Sequence, residues 1–294
     1  MTALDLLGMT LVSATPLLFA VVGGLVSELA GVINFALEGM MLAGAFAAVW
    51  ASWASGSPWI GLLAGAGAGL LVGLLHGVAS VILRANQIVS SIALNLLAAG
   101  ATGMLLHQVF GAYGTSPTVA ALPTLHALVP VPAAAAVSVM VPLAWLPVLV
   151  VGLGLERTVP GWRLRACGEN PEAARAAGVP VTTVRLLAVA VSGLLAGLGG
   201  VSLAIGDLSQ FVENLTHGRG YLAIAALILG RWKPFGVLAA ALLFGFGQAA
   251  AEFLAVRWAG FPSQVFLAFP YLLCLLVLLG GRGIHRPPSA LGRW

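Results

Sequence analysis

Apolar runs of about twenty residues recur along almost the whole of this 294-residue chain. Such a run, as an α-helix, crosses the hydrocarbon core of a bilayer and satisfies its own backbone hydrogen bonds there. The sequence therefore predicts an all-α, polytopic helical membrane protein that forms a single transmembrane domain over residues 1–294. The runs lie at 6–26, 38–54, 59–83, 88–107, 133–155, 181–205, 235–256 and 263–281, with a shorter one at 220–230.

The composition excludes several classes of protein. Only 7% of the residues are charged, whereas a soluble domain carries about 25%. The net charge of +4 comes from basic residues beside apolar runs, so it indicates membrane orientation and not nucleic-acid binding. Cys167 and Cys274 lie in a polar stretch and in an apolar run, and no disulfide framework is expected. No basic region precedes the first run, which is therefore interpreted as a retained helix and not a signal peptide.

Basic residues also predict the orientation, because Lys and Arg concentrate on the cytoplasmic side. If all nine runs cross and the stretch 156–180 is cytoplasmic, eleven Lys and Arg lie inside, and only Arg219 and Arg257 lie outside. If the run at 220–230 dips in and returns, the count becomes seven against six. We therefore predict about nine transmembrane helices, with the N-terminus outside and a cytoplasmic tail at 282–294.

Residues 27–39, SELAGVINFALEG, are too polar for a lipid-facing helix and too apolar for a loop in water. Asn34 and Glu38 are four apart, which places them on one helical face. A charge at the bilayer centre costs about 2.5–3.5 kcal/mol, so Glu38 should face protein or an internal path, or else lie solvated at headgroup level. Glycines at 31 and 39 favour a broken, re-entrant segment near 27–39.

A second group of polar residues begins the run at 88–107. Gln87, Ser91 and Asn95 are spaced by four and so form a stripe along one helical face. The stripe indicates either a water-filled path or hydrogen bonds to a neighbouring helix, which are worth about 0.6 kcal/mol each. The predicted solute-pathway residues are Asn34, Glu38, Asn86, Gln87, Ser91 and Asn95.

Two further polar stretches flank the run at 181–205. The loop at 206–220 carries Asp207, Glu213 and Arg219, which could contact a partner, shape the outer mouth of a path, or form a solvated turn. The stretch around GENPEAARAAG, 168–178, is too charged for lipid and must lie in water. A short helix offered to the cytosol by a membrane protein indicates contact with a soluble partner that supplies energy.

The chain shows no sign of catalysis of its own. It contains no GxxxxGK[ST] phosphate loop, no HExxH and no GxSxG sequence. Its five histidines are scattered without metal-ligand spacing, and His76 and His107 are expected near the membrane interface. We therefore expect neither an enzyme nor a bound metal or cofactor.

Four motifs resemble the permease subunits of ABC importers, in the branch that includes ribose, branched-chain amino acid and nucleoside permeases. Their order and spacing agree over roughly residues 10–281, and the first and last most resemble the nucleoside subgroup. The motifs are SELAGVINFALEGMMLAGAFAA (27–48), ANQIVSSIALNLLA (85–98), RACGENPEAARAAGV (165–179) and FVENLTHGRGYLAIAALILGRWKPFG (211–236).

The resemblance implies a multi-pass protein of a bacterial or archaeal cytoplasmic membrane that imports a small polar solute by alternating access. It implies three protein partners: a cytoplasmic ABC ATPase that uses the ATP, a second permease subunit, either related or identical, and an extracytoplasmic binding protein. A nucleoside is the favoured cargo. Alternatives are a sugar, a branched-chain amino acid, or a secondary carrier that works alone. The ATPase-coupling residues that it implies are Gly168, Glu169, Asn170, Pro171, Ala173, Ala174 and Gly178, and Asp207, Glu213 and Arg219 would meet the binding protein.

Overall fold

The computed structural model of the chain describes residues 3–125, 137–257, 266, 268, 269, 271, 272, 275, 276 and 287–293. Within these ranges the secondary structure is helical apart from two isolated β-bridges. The helices are α1 (Ala3–Leu29), α2 (Leu37–Ser55), α3 (Pro58–Gly77), α4 (Gln87–Phe110), α5 (Met140–Arg157), α6 (Val159–Glu169), α7 (Pro171–Ala176), α8 (Val181–Val201), α9 (Arg219–Leu229) and α10 (Pro234–Arg257), with π-helical turns at Val78–Ile82 and Ser202–Leu208.

Seven of the described helical segments are long and apolar enough to cross a membrane, which confirms a polytopic helical membrane protein. Residues 133–136 of the run predicted at 133–155 lie outside the described residues, 137–139 are non-helical, and the helix α5 begins at Met140. Most of the run at 263–281 lies outside the described residues. The short run at 220–230 forms α9, whose 11 residues rise only about 16 Å, half the hydrocarbon thickness.

Two non-helical segments each follow a long apolar helix, and the two are arranged alike. After α1, residues 30–36 are non-helical and largely buried before α2 begins. After α8 and its π-turn, residues 209–218 are likewise non-helical before α9 begins. Helix α1 packs against α8, α9 and α10, while α8 packs against α1, α2 and α3. The two halves thus repeat one arrangement in opposite directions, as inverted repeats in transporters do.

Glycines at four-residue spacing, Gly65–Gly69–Gly73 on α3 and Gly193–Gly197 on α8, lie between helices of this one chain. A Cβ atom on Gly73 would be 2.9 Å from the Cα atom of Gly193, and one on Gly197 would be 2.9 Å from the Cα atom of Gly69. Only glycine allows α3 and α8 to approach so closely. These glycines therefore serve close helix packing within a single subunit.

The two ends of the bundle agree with the predicted sidedness. At one end, the Gly168 carbonyl accepts from Ala290 N, so the coupling stretch and the C-terminal tail lie together. At the other end, the loop at 112–125 hydrogen-bonds to residues 205–211, and Leu122 N donates to Ile205 O at 2.9 Å. Helix α1 runs from the second end to the first, and the outside position of the N-terminus stays a prediction.

Candidate translocation and coupling sites

The two interrupted spans meet at Glu38, in the first turn of α2. Its carboxylate accepts from Gly218 N at 2.8 Å and from Gly220 N at 2.7 Å, where α9 begins, and from the Thr216 hydroxyl. The N-terminus of a helix carries unpaired N–H groups and a partial positive charge, so a carboxylate there is stabilised. Glu38 therefore faces protein, as predicted, and its carboxylate joins the start of α2 to the start of the short helix α9.

The predicted polar stripe lies against the interrupted segment 30–36. The Gln87 side-chain oxygen accepts from Ile33 N at 2.7 Å. Asn95 donates to Phe35 O at 2.9 Å and accepts from Gly39 N at 2.8 Å. Gln87 and Asn95 are two turns apart on α4, which is about 12 Å along the helix axis. The segment therefore extends over that distance beside α4. These contacts correspond to the hydrogen-bonding alternative for the stripe, since they satisfy backbone groups that lipid cannot.

Asn34 and His76 form further hydrogen bonds that hold the interrupted segment 30–36 in place. The Asn34 amide donates to the Ser192 hydroxyl at 2.8 Å, and Nε2 of His76 lies 3.0 Å from the Ile33 carbonyl oxygen. A carbonyl only accepts, so Nε2 carries the proton. The expectation that His76 is interfacial is wrong, because the side chain is fully buried, whereas His107 is exposed and stacks on Tyr113.

The remaining residues of the predicted pathway have local roles. The Asn86 side chain caps α4 by accepting from Ile88 N and Val89 N, and the Ser91 hydroxyl donates to Gln87 O. None of these contacts tests whether a solute touches the stripe, so that role stays a prediction.

Two adjoining cavities, of about 390 Å³ and about 370 Å³, lie beside the start of α9. Both are lined by His217, Arg219 and Glu252. Gln248 and Tyr271 complete the polar lining of the first, while Asp207 and Ser13 line the second. Arg219 Nε and Gln248 Oε1 have no hydrogen-bond partner among the described residues. The lining thus offers donors and acceptors of both charge signs in a space that a small molecule fits.

The predicted outer-mouth residues separate in the structure. Asp207 and Arg219 line the same cavity, whereas Glu213 is exposed and lies beside Gly103 of α4. Arg219 is the first residue of the short helix α9. Contact of these residues with a binding protein remains a prediction.

The predicted coupling stretch folds as two helices and not one. Gly168 and Glu169 close α6, Asn170 is extended, and its side chain accepts from Ala173 N to cap α7. Only Ala174 of α7 is buried, and Gly178 follows with φ +80°. Because Glu172, Ala173, Arg175 and Ala176 are all exposed, this short helix leaves most of its surface free of contact with the rest of the described chain.

Arg185, which the orientation count placed among the cytoplasmic basic residues, is buried at 4% exposure. Its guanidinium donates to the carbonyl oxygens of Ala30 at 3.1 Å, Cys167 at 3.2 Å and Arg293 at 2.8 Å. A rigid, planar guanidinium suits three carbonyls in this way, and the bonds offset the cost of burying its charge.

Sequence reasoning missed Gln248, Glu252 and Tyr221. Gln248 and Glu252 are four apart in the otherwise apolar α10, so a search for polar pairs at helical spacing would have found them. The Tyr221 hydroxyl accepts from the Asn95 amide at 3.0 Å. No sequence signal pointed to that contact, because the two residues are 126 positions apart.

The chain is similar in sequence to known permease proteins. Residues 6–278 match the family model for the permease component of branched-chain amino acid transport systems. The guanosine ABC transporter permease protein NupQ of Bacillus subtilis is 35% identical, with 96% of this chain and 93% of the relative covered. The nucleoside ABC transporter permease protein NupC of Lactococcus lactis has the same identity and coverage. A putative glucose ABC transporter permease protein, TsgC13 of Haloferax volcanii, is 34% identical, with 83% of this chain and 75% of the relative covered. No solved structure matches the chain.

Proposed function

The chain belongs to the family of permease components of branched-chain amino acid transport systems and is a transmembrane permease subunit of the ABC type, and on that premise we propose that it imports a nucleoside. The observation that carries the proposal is the 35% identity, over 96% of this chain, to permeases named for guanosine and for nucleosides.

The energy source in this proposal is a separate ATPase. Helix α7 presents Glu172, Ala173 and Arg175 to the cytosol, and the ATPase would hold this surface in a groove. The chain itself contributes no phosphate loop, and it would take up no cofactor. A second permease subunit would complete the path through the membrane, and an extracytoplasmic binding protein would deliver the cargo.

The cavities beside α9 support a neutral, hydroxyl-rich cargo. Arg219 and Gln248 supply donors, whereas Asp207 and Glu252 supply acceptors. A nucleoside offers hydroxyl groups and a base edge that match both kinds of group. A nucleotide would bring its negative phosphate against two carboxylates balanced by one guanidinium, which a low-dielectric site disfavours. We therefore propose that the cargo passes these cavities after the outer mouth.

A sugar is the second candidate, and the specific observation in its favour is the 34% identity to the putative glucose permease. A sugar would use the same hydroxyl partners but would leave the base-edge partners unused. The two cargoes therefore differ in their dependence on Gln248, because an amide side chain pairs with the lactam or amino edge of a base. The variant Gln248→Leu should impair transport of a nucleoside more than transport of a sugar.

The experiment is substrate-dependent ATP hydrolysis in proteoliposomes. The chain is purified with the subunits that copurify, the cognate binding protein is added, and nucleosides, nucleotides, sugars and branched-chain amino acids are compared. Stimulation by nucleosides alone supports the proposal. Stimulation by a sugar or an amino acid keeps the ABC assignment and corrects the cargo. Gradient-driven uptake without any ATPase would refute the coupling role of α7.

A further inference from the structure

We propose that the C-terminal tail, residues 287–293, is a mechanical part of the transporter: together with Arg185 it fastens the coupling stretch to the interrupted segment 30–36, so that movement of α7 reaches the Glu38 junction. This inference rests on the proposed role of α7 in contact with an ATPase. It assigns a function to a tail that the sequence marked only as cytoplasmic and basic.

The tail is fastened at two places by its backbone. Ala290 N donates to Gly168 O at 2.8 Å, and Gly292 N donates to Gly31 O at 3.0 Å. Residues 290 and 292 therefore bridge the end of α6 and the beginning of the interrupted segment. Ser289 adds a third attachment, since its backbone N–H and its hydroxyl both donate to the Glu169 carboxylate, at 3.2 and 2.8 Å.

We call the contact region between the end of α6, residues 30–31 and the tail the joint. Arg185 binds to the joint from the other side of α7. It lies in the first turns of α8, and its three bonds reach the interrupted segment, α6 and the tail through Ala30, Cys167 and Arg293. The two flanks of the coupling helix, at Gly168 and at Arg185, are thus held to residues 30 and 31. A Cβ atom on Gly168 would overlap the Leu29 carbonyl oxygen, so the backbones of α6 and α1 are in direct contact there.

From this joint a continuous set of contacts reaches the middle of the membrane. Residues 31–36 lead directly to α2, and the Glu38 carboxylate holds Gly218 and Gly220 at the start of α9. Arg219, between those two glycines, lines both cavities. A displacement of α7 would therefore move the N-terminus of α9 and the cavity wall with it. Loss of the tail removes one side of the joint and should weaken this coupling.

The test compares uptake per ATP hydrolysed in proteoliposomes that contain the wild-type complex or a variant. The variants are deletion of residues 287–294, Arg185→Lys and Ser289→Ala, with Arg293→Ala as the matched control. The control keeps the tail backbone, and the Arg293 side chain that it removes is exposed. Lysine keeps the charge but lacks the planar fork that serves three carbonyls.

The deletion and Arg185→Lys should lower uptake per ATP about fivefold or more, while the ATPase still copurifies and its basal hydrolysis continues. Ser289→Ala should have a smaller effect and Arg293→Ala none. A tail of purely structural importance would lower the amount of folded complex but not the uptake per ATP of what remains. Unchanged coupling in the deletion, or in Arg185→Lys where the deletion fails to fold, overturns the inference.

A second readout separates this inference from the proposed function. In a Cys274→Ser background, the thiol of the fully buried Cys167 reports whether the joint is closed. Deletion of the tail should increase its labelling by a maleimide, and an unchanged rate counts against the joint even in a chain that shows no transport. If the wild-type complex shows no ATP-driven uptake while the deletion opens Cys167, the proposed function fails and the fastening role of the tail stands.

Discussion

Glu38 and Gly220 lie together although they are 182 residues apart, and the Gly220 N–H donates to the Glu38 carboxylate at 2.7 Å. This bond links α2, which runs outward from mid-membrane, to α9, which runs inward. Two helix N-termini at one carboxylate bring the positive ends of both helices to a negative charge. The contact explains why an acidic residue is tolerated at this depth.

Replacement of Glu38 tests the electrostatic part of this junction. Glu38→Ala removes the acceptor for Gly218 N and Gly220 N, and a hydrogen bond to a charged group is worth about 1.5–3 kcal/mol. The loss should lower stability by about 3 kcal/mol or more and abolish most uptake. Thr216→Val removes only the hydroxyl bond and should cost less. Thermal unfolding in detergent measures both, and equal effects of the two variants would contradict the central role of the carboxylate.

Gly220→Ala tests the steric part. A Cβ atom there would lie 2.5 Å from the Glu38 Cα atom, so the two helix starts would have to separate. We expect uptake to fall at least about tenfold, since a separation of about 1 Å at a functional site has effects of that size or larger. The control is Gly67→Ala, where a Cβ atom meets nothing within 4 Å. If both variants transport normally, the junction is not needed for transport.

Ala173→Arg tests the coupling surface. Ala173 is exposed on α7, so arginine is accommodated in the isolated chain but should obstruct a partner groove. We expect thermal stability within about 0.5 kcal/mol of wild type, as for most surface substitutions, together with loss of transport-linked ATP hydrolysis. Ala173→Ser is the conservative control. Copurification and coupled hydrolysis at wild-type levels in Ala173→Arg would place the ATPase contact elsewhere.

The reactivity of Cys167 tests the packing under α7. Burial raises the pKa of the Cys167 thiol, and the nearby positive charges of Arg185 and Arg175 only partly oppose this. A raised pKa lowers the thiolate fraction at neutral pH, and labelling needs the thiolate. In a Cys274→Ser background, maleimide should therefore react roughly tenfold more slowly than with a cysteine placed at exposed Ala173, and the rate should rise with pH and in denaturant. Equal rates at pH 7 would show that Cys167 is accessible.

Local patterns predicted much of this architecture. Among the described residues, hydropathy located the spans to within a few residues apart from the start of α5, because a run of twenty apolar residues allows only a membrane helix. The polarity of residues 27–39 predicted a break before α2, and GENPEAARAAG predicted the short exposed helix. Glycine at four-residue spacing is typical of close helix packing, and the structure places Gly69 against Gly193 and Gly197.

These local patterns could not predict hydrogen bonds between residues that are distant in sequence. From the sequence alone, Arg185 is expected to be a solvated charged residue. In the structure it is buried, and its guanidinium donates to three backbone carbonyls from different parts of the chain. The stripe of Gln87 and Asn95 was compatible with a water path or with hydrogen bonds to a neighbour. In the structure both side chains form hydrogen bonds with backbone groups of Ile33, Phe35 and Gly39. Hydropathy and spacing act within one helix and so set which segments cross the membrane. Only the tertiary structure decides the hydrogen-bond partner of a buried polar side chain. Folding buries backbone groups that are distant in sequence, and because water no longer reaches them they bond to that side chain.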